Sequence, residues 1–107
     1  MYSGTDAASR LRASPFVDKI LRVLAEVVDT NPHTASATTD LLLRDIGTAC
    51  AAPILLHGED GSAWPVLRVA RRLGLATRIG FEDVLHTPDG IPAPDNAALV
   101  KAAALLR

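Results

Sequence analysis

One arginine and two adjacent carboxylates, Arg78, Glu82 and Asp83, fall within Thr77-Arg78-Ile79-Gly80-Phe81-Glu82-Asp83, just past a short apolar segment. Charged groups at the carboxyl ends of buried strands are where α/β folds place their chemistry. On a strand, Arg78, Gly80 and Glu82 share one face, because alternate side chains point the same way. An arginine and a glutamate on one face can orient a carboxylate substrate and hold a metal, and Gly80 leaves room for a ligand near the backbone. The competing reading is a surface ion pair at a strand end, worth about 0–1 kcal/mol.

A second group, His57-Gly58-Glu59-Asp60, ends the preceding apolar run. His57 and Glu59 are two residues apart and can ligate a cation together. The alternative is a histidine closing a strand, followed by acids in a solvated loop. The loop Gly58–Ser62 also resembles an anion site at a helix N-terminus, but Glu59 and Asp60 repel phosphate there. Glu26, within Val23–Val28, is a pocket carboxylate if that stretch is a strand and an exposed position if it is a helix. His33 and His86 read as loop histidines and Trp64 as core. The sequence has no glycine-rich dinucleotide fingerprint, no phosphate loop and no nucleophile elbow.

The elements that must position these groups alternate along the chain. The head, Met1–Ala13, is small, polar and basic, and is expected to fray. Phe16, Ile20, Val23, Leu24 and Val27 recur at helical spacing, yet Arg22–Val28 reads equally as a β-branched strand ending at Asp29-Thr30-Asn31-Pro32. Thr34 to about Ile46 is predicted helical, with Gly47 as its stop. Pro53–His57 reads as a buried strand. A helix follows from Gly61-Ser62 to Gly74, then a strand at Thr77–Phe81. A loop leads to a closing helix, Asn96–Arg107, capped by Asp95. Alternation of strand and helix argues for parallel strands joined by helical crossovers.

Composition narrows the function. The 107 residues suit one small domain, 14–107, behind the head. Eleven basic and twelve acidic residues, with 4% aromatics, give neither the field nor the stacking platforms that nucleic acid requires. The single cysteine, Cys50, makes no internal disulfide and points to a reducing compartment. No apolar run is long enough for a membrane span, so a cytoplasmic location is expected.

Several of these segments together resemble the beta-keto acid cleavage enzyme family, typified by 3-keto-5-aminohexanoate cleavage enzyme. The resemblance rests on Leu55-Leu56-His57-Gly58-Glu59, Trp64-Pro65-Val66-Leu67, Thr77–Leu85 with its R-x-G-x-E-D run, Pro88-Asp89-Gly90 and Asp95-Asn96-Ala97-Ala98-Leu99-Val100. Ala25-Glu26-Val27-Val28-Asp29 is similar to shorter members, and the match covers about Phe16–Arg107. It implies a zinc-dependent TIM (β/α)8 barrel that condenses a β-keto acid with acetyl-CoA, giving acetoacetate and a new CoA thioester.

By the same resemblance, Glu82 is the zinc-ligating glutamate of the last strand. Arg78 and Asp83 are the pair that helps activate the keto acid; the reading of the residues themselves, not the resemblance, adds Glu26, His57 and Glu59 as candidate substrate-pocket residues. The resemblance also favours a strand at Arg22–Val28, after one helical turn. The family holds its zinc with an H-x-H motif, which this sequence lacks. The chain therefore corresponds to the last three βα units, a truncated member expected to bind no zinc and to be inactive alone. A split enzyme completed by another polypeptide and a small non-catalytic α/β binding module are the alternatives; the expected partners are a homo-oligomer or a complementary barrel fragment.

Overall fold

A parallel pair of strands forms the centre of the chain. The computed structural model describes residues 1–106. Strand β1 (Val23–Val27) pairs with β2 (Ile54–Gly58) in a register running from Val23 opposite Ile54 to Val27 opposite Gly58. Along β1, Val23, Ala25 and Val27 are buried while Leu24 is exposed and Glu26 half-buried, the alternation of a strand with one covered face. The helical spacing upstream survives only as a single 3-10 turn at Val17–Lys19. Pairing with β2 and burial of the β-branched face decide the ambiguity.

Helix α1 (Ala7–Arg12) lies in the head, and helix α2 (Pro32–Ala49) joins the two strands. The Asn31 side chain caps α2 by accepting a hydrogen bond from the His33 amide at 2.9 Å, with proline in the first turn. The helix starts two residues earlier than predicted and passes through Gly47 instead of stopping there. An interior glycine costs only about 1 kcal/mol, and the buried Ile46 and Ala49 hold the last turn on the core. Helix α3 (Ala63–Leu73) ends at Gly74, whose φ of 70° is the left-handed cap that glycine accepts without strain. Asp95 caps α4 (Asn96–Leu105) through the Ala98 amide at 2.8 Å. The predicted extension to Arg107 ends on a residue outside those described.

Two apolar clusters hold these elements together. Val23, Ala25, Val27 and Leu56 pack against Ala35, Leu42 and Ile46 of α2 and against Val66, Val69 and Ala70 of α3. A second cluster gathers Ala63, Trp64 and Leu67 with Val84 and Leu99 of α4. The helices thus cover one face of the sheet. Leu24, Glu26, Leu55 and His57 belong to the other.

One expectation needs correction. Thr77–Phe81 is not a strand: only Ala76, just before it, bridges to Leu55, its carbonyl accepting from the Leu56 amide at 2.8 Å. Beyond that point the chain turns, and the Asp83 and Val84 amides bond to the Gly80 carbonyl instead of to a neighbouring strand. In place of three full strands, the described residues carry a two-stranded parallel sheet with a single bridge on either side.

The head is bonded to the edge of β1. Tyr2 forms a parallel bridge with Glu26: the Glu26 amide donates to Met1 O, Ser3 N donates to Glu26 O, and the Met1 amino group donates to Leu24 O. Ser3 Oγ accepts from the Val28 amide, and Arg12 donates to Thr48 on α2. These partners satisfy backbone groups of β1 that would otherwise face solvent. Among the described residues no helix is long and apolar enough to cross a membrane.

Candidate functional site

The pairing register places Glu26 directly opposite His57, one residue before the carboxyl end of each strand. Their side chains rise on the face that the helices leave uncovered. The turn after Gly80 then brings Asp83 over them. His57 and Asp83 are almost wholly buried, at 1% and 3% exposure, while Glu26 remains half-buried. One donor atom from each of Glu26, His57 and Asp83 lies within 4.8 Å of the other two. His57 Nδ1 stands 3.4 Å from Asp83 Oδ1, too long and poorly directed for a hydrogen bond, and neither ring nitrogen of His57 has a hydrogen-bond partner.

Loop geometry holds this group from below. The Ser62 hydroxyl donates to Val27 O at 3.0 Å and accepts from the Glu59 amide, tying the end of β1 to the turn after β2. Gly61 touches the Thr30 carbonyl so closely that no side chain fits there. Asp60, at a φ of 50°, donates its amide to Asp83 O at 2.6 Å. That bond fixes the backbone of Asp83 above His57. Partial burial, and then the neighbouring charge of Glu26, push the Glu59 carboxyl above its usual range, with Asp60 and Asp83 acting in the same direction.

Arg78 approaches Asp83 from the solvent side, with Nε 3.4 Å from Oδ2 and its side chain 41% exposed. One edge of the guanidinium is thereby held by a buried carboxylate, and its other donors make no hydrogen bond among the described residues. Arg78 also lines a cleft of about 400 Å³ with Arg71, Thr77, Leu67 and Val100. A cationic rim over an apolar floor suits an organic acid with a short carbon chain.

Glu82 is placed elsewhere. It is exposed, and its carboxylate folds back over Gly80, 2.5 Å from where a Cβ on that glycine would sit. The space expected to admit a ligand at Gly80 is filled by Glu82 itself. Because Thr77–Phe81 is not a strand, Arg78 and Glu82 lose the shared face, and Arg78 meets Asp83 instead. Glu59 lies beside Glu26 but outside the three-donor group. The structure thus joins Glu26, His57, Asp83 and Arg78, with Glu59 at the margin and Glu82 apart.

The family model of the beta-keto acid cleavage enzymes (BKACE) matches residues 14–106. The chain belongs to the beta-keto acid cleavage enzyme family. No curated protein and no solved structure matches it. Glu82, the zinc donor that the resemblance implies, is not brought together with further donors of this chain. Among the described residues the only group able to surround a cation excludes Glu82. Sequence reasoning grouped Glu26 and His57 with Arg78 and Glu82, and did not foresee that Asp83, rather than Glu82, stands directly beside them. The available signal was the strand register, since the three donors recur at about the length of one βα unit, ~30 residues.

Proposed function

We propose that this chain contributes the carboxyl-terminal three βα units of a β-keto acid cleavage TIM barrel, and that Arg78 and Asp83 handle the keto acid there. The Arg78–Asp83 contact carries this reading. Asp83 fixes the guanidinium, whose free edge can bind the keto acid carboxylate in a bidentate manner, and the cleft beside Leu67 and Val100 takes the carbon chain. Further support comes from the sheet. Its helix-free face carries Glu26 and His57 at the carboxyl ends of the strands, the end at which barrel enzymes build their sites. The reaction of this family, β-keto acid plus acetyl-CoA giving acetoacetate and an acyl-CoA thioester, then requires a second polypeptide or segment bearing the H-x-H zinc ligands. Glu82 joins those histidines only in such an assembly, and the 107-residue chain alone is inactive.

The test is complementation. The chain is co-expressed with a polypeptide carrying the earlier barrel units and the H-x-H motif, and acetoacetate release from acetyl-CoA and β-keto acids is measured. Activity in the mixture, absent from either part, is expected to fall by ~10²–10³ in Arg78→Ala, the usual effect of removing one group that stabilises charge in the transition state. Turnover by the chain alone, or activity insensitive to Arg78→Ala, would count against the proposal. One observation favours a second reading, a self-sufficient α/β binding module: Met1–Ser3 already occupies the outer edge of β1. A monomer that unfolds cooperatively and ignores the complementary fragment would favour it.

A further inference from the structure

We propose that Glu26, His57 and Asp83 form a divalent transition-metal site belonging to this chain itself, separate from the zinc ligand role that family resemblance gives Glu82. The three donors come from β1, β2 and the turn after Gly80, so the folded chain assembles them without help from any other polypeptide. His57 supplies the independent indication of a ligand. A buried imidazole nearly always donates or accepts a hydrogen bond, because an unpaired polar group removed from water costs on the order of 1–3 kcal/mol. Here, among the described residues, both ring nitrogens are unpartnered at 1% exposure. A cation held with Asp83 Oδ1 satisfies the imidazole.

The spacing agrees. Zinc ligands at 2.0–2.1 Å in tetrahedral arrangement stand about 3.4 Å from one another. His57 Nδ1 and Asp83 Oδ1 are 3.4 Å apart. Glu26, with a longer side chain and a half-exposed position, has the freedom to close the remaining gap within the 4.8 Å group. One imidazole and two carboxylates, with a fourth position left for water, make a set suited to zinc and its first-row neighbours; the imidazole disfavours calcium and magnesium. Arg78 beside Asp83 opposes the cation electrostatically, so the site is expected to bind less tightly than a closed structural zinc centre.

Tag-free chain is titrated with zinc chloride in a calorimeter, and the three histidine side chains are followed by nitrogen-detected NMR. The expected result is one zinc per chain, a perturbation of the His57 ring nitrogens with those of His33 and His86 unmoved, and at least a tenfold weaker association in Glu26→Gln. Glu26 is half-buried, so that variant keeps the fold where His57→Gln risks losing it; circular dichroism confirms the point. Three outcomes would overturn the proposal: no saturable stoichiometric binding, binding in Glu26→Gln equal to wild type, or binding lost in Glu82→Gln with His57 unperturbed. The titration needs no complementary fragment, so its failure is separate from failure of the complementation test.

Discussion

Replacing Gly61 by alanine sets a methyl carbon 1.8 Å from the carbonyl oxygen of Thr30, 2.8 Å from its carbonyl carbon and 3.0 Å from Pro32 Cδ. The nearest atoms are backbone, so no rotamer change relieves the overlap. The turn after β1 and the turn after β2 must separate by more than about 1 Å to reach even the tightest contacts tolerated in proteins. Overpacking of this kind costs ~1–3 kcal/mol. The same movement stretches the bonds from Ser62 Oγ and the Glu59 amide to Val27 O, at 3.0 and 3.2 Å, adding about 1 kcal/mol. A loss of ~2–4 kcal/mol follows, a large share of the ~5–15 kcal/mol typical of a domain.

In thermal unfolding followed by circular dichroism this corresponds to a fall of at least ~8 °C, at about 4–8 °C per kcal/mol for a chain near this size. Gly47→Ala supplies the control of opposite sign. Gly47 lies inside α2 with nothing within 4 Å of its added Cβ, so alanine is expected to stabilise by ~0.5–1 kcal/mol. A Gly61→Ala protein melting within ~2 °C of wild type would refute the claim that these two turns are locked together beneath the site.

Asp29 accepts from the Thr34 and Thr38 hydroxyls at 2.6 and 2.7 Å, which hold its carboxyl below the usual 3.8. A lowered carboxyl contributes stability above its unfolded value and loses it as pH falls through the folded one. Asp29→Asn is therefore expected to cost about 1 kcal/mol in urea unfolding at pH 7, and the difference from wild type should vanish well below pH 3.8; a difference independent of pH would show that the charge is irrelevant. Leu21, Leu85, Phe16 and Ile91 are exposed by 90%, 68%, 64% and 60%, apolar area that association would bury. Light scattering is expected to give a mass that rises with concentration and falls when the complementary barrel fragment is added, and a concentration-independent monomer would contradict this.

Much of the framework was legible from local signals. Asp95 before Asn96-Ala97-Ala98, Gly74 after Arg71-Arg72 and the apolar run before His57 each carry their own chemistry, and each became a cap, a stop or a strand. Thr77–Phe81 misled because a strand needs a neighbour. Its apolar content is only Ile79 and Phe81, and Gly80 offers its carbonyl to a turn before a ladder can form. The R-x-G-x-E-D run pointed to Arg78 and Asp83 correctly as partners. It could not show that Glu82 folds over Gly80, which depends on what surrounds the loop. The sequence placed Glu26 and His57 in one pocket, but that Asp83 lies directly beside them is written in strand register and loop course, and the bonding of Met1-Tyr2-Ser3 to β1 was not legible because three residues have no periodicity to detect.

The position of that head changes what it means for another chain to join this one. The outer side of β1 is not vacant, since Met1–Ser3 is bonded there and remains tethered to the rest of the molecule. A tethered segment competes at an effective concentration on the order of millimolar. An incoming strand therefore takes part in an exchange, and its apparent affinity is lowered by the fraction of time the edge is occupied. Removing the first few residues would strengthen such an association without altering a single contact made by the newcomer. It would also strip β1 of its guard against indiscriminate edge-to-edge pairing.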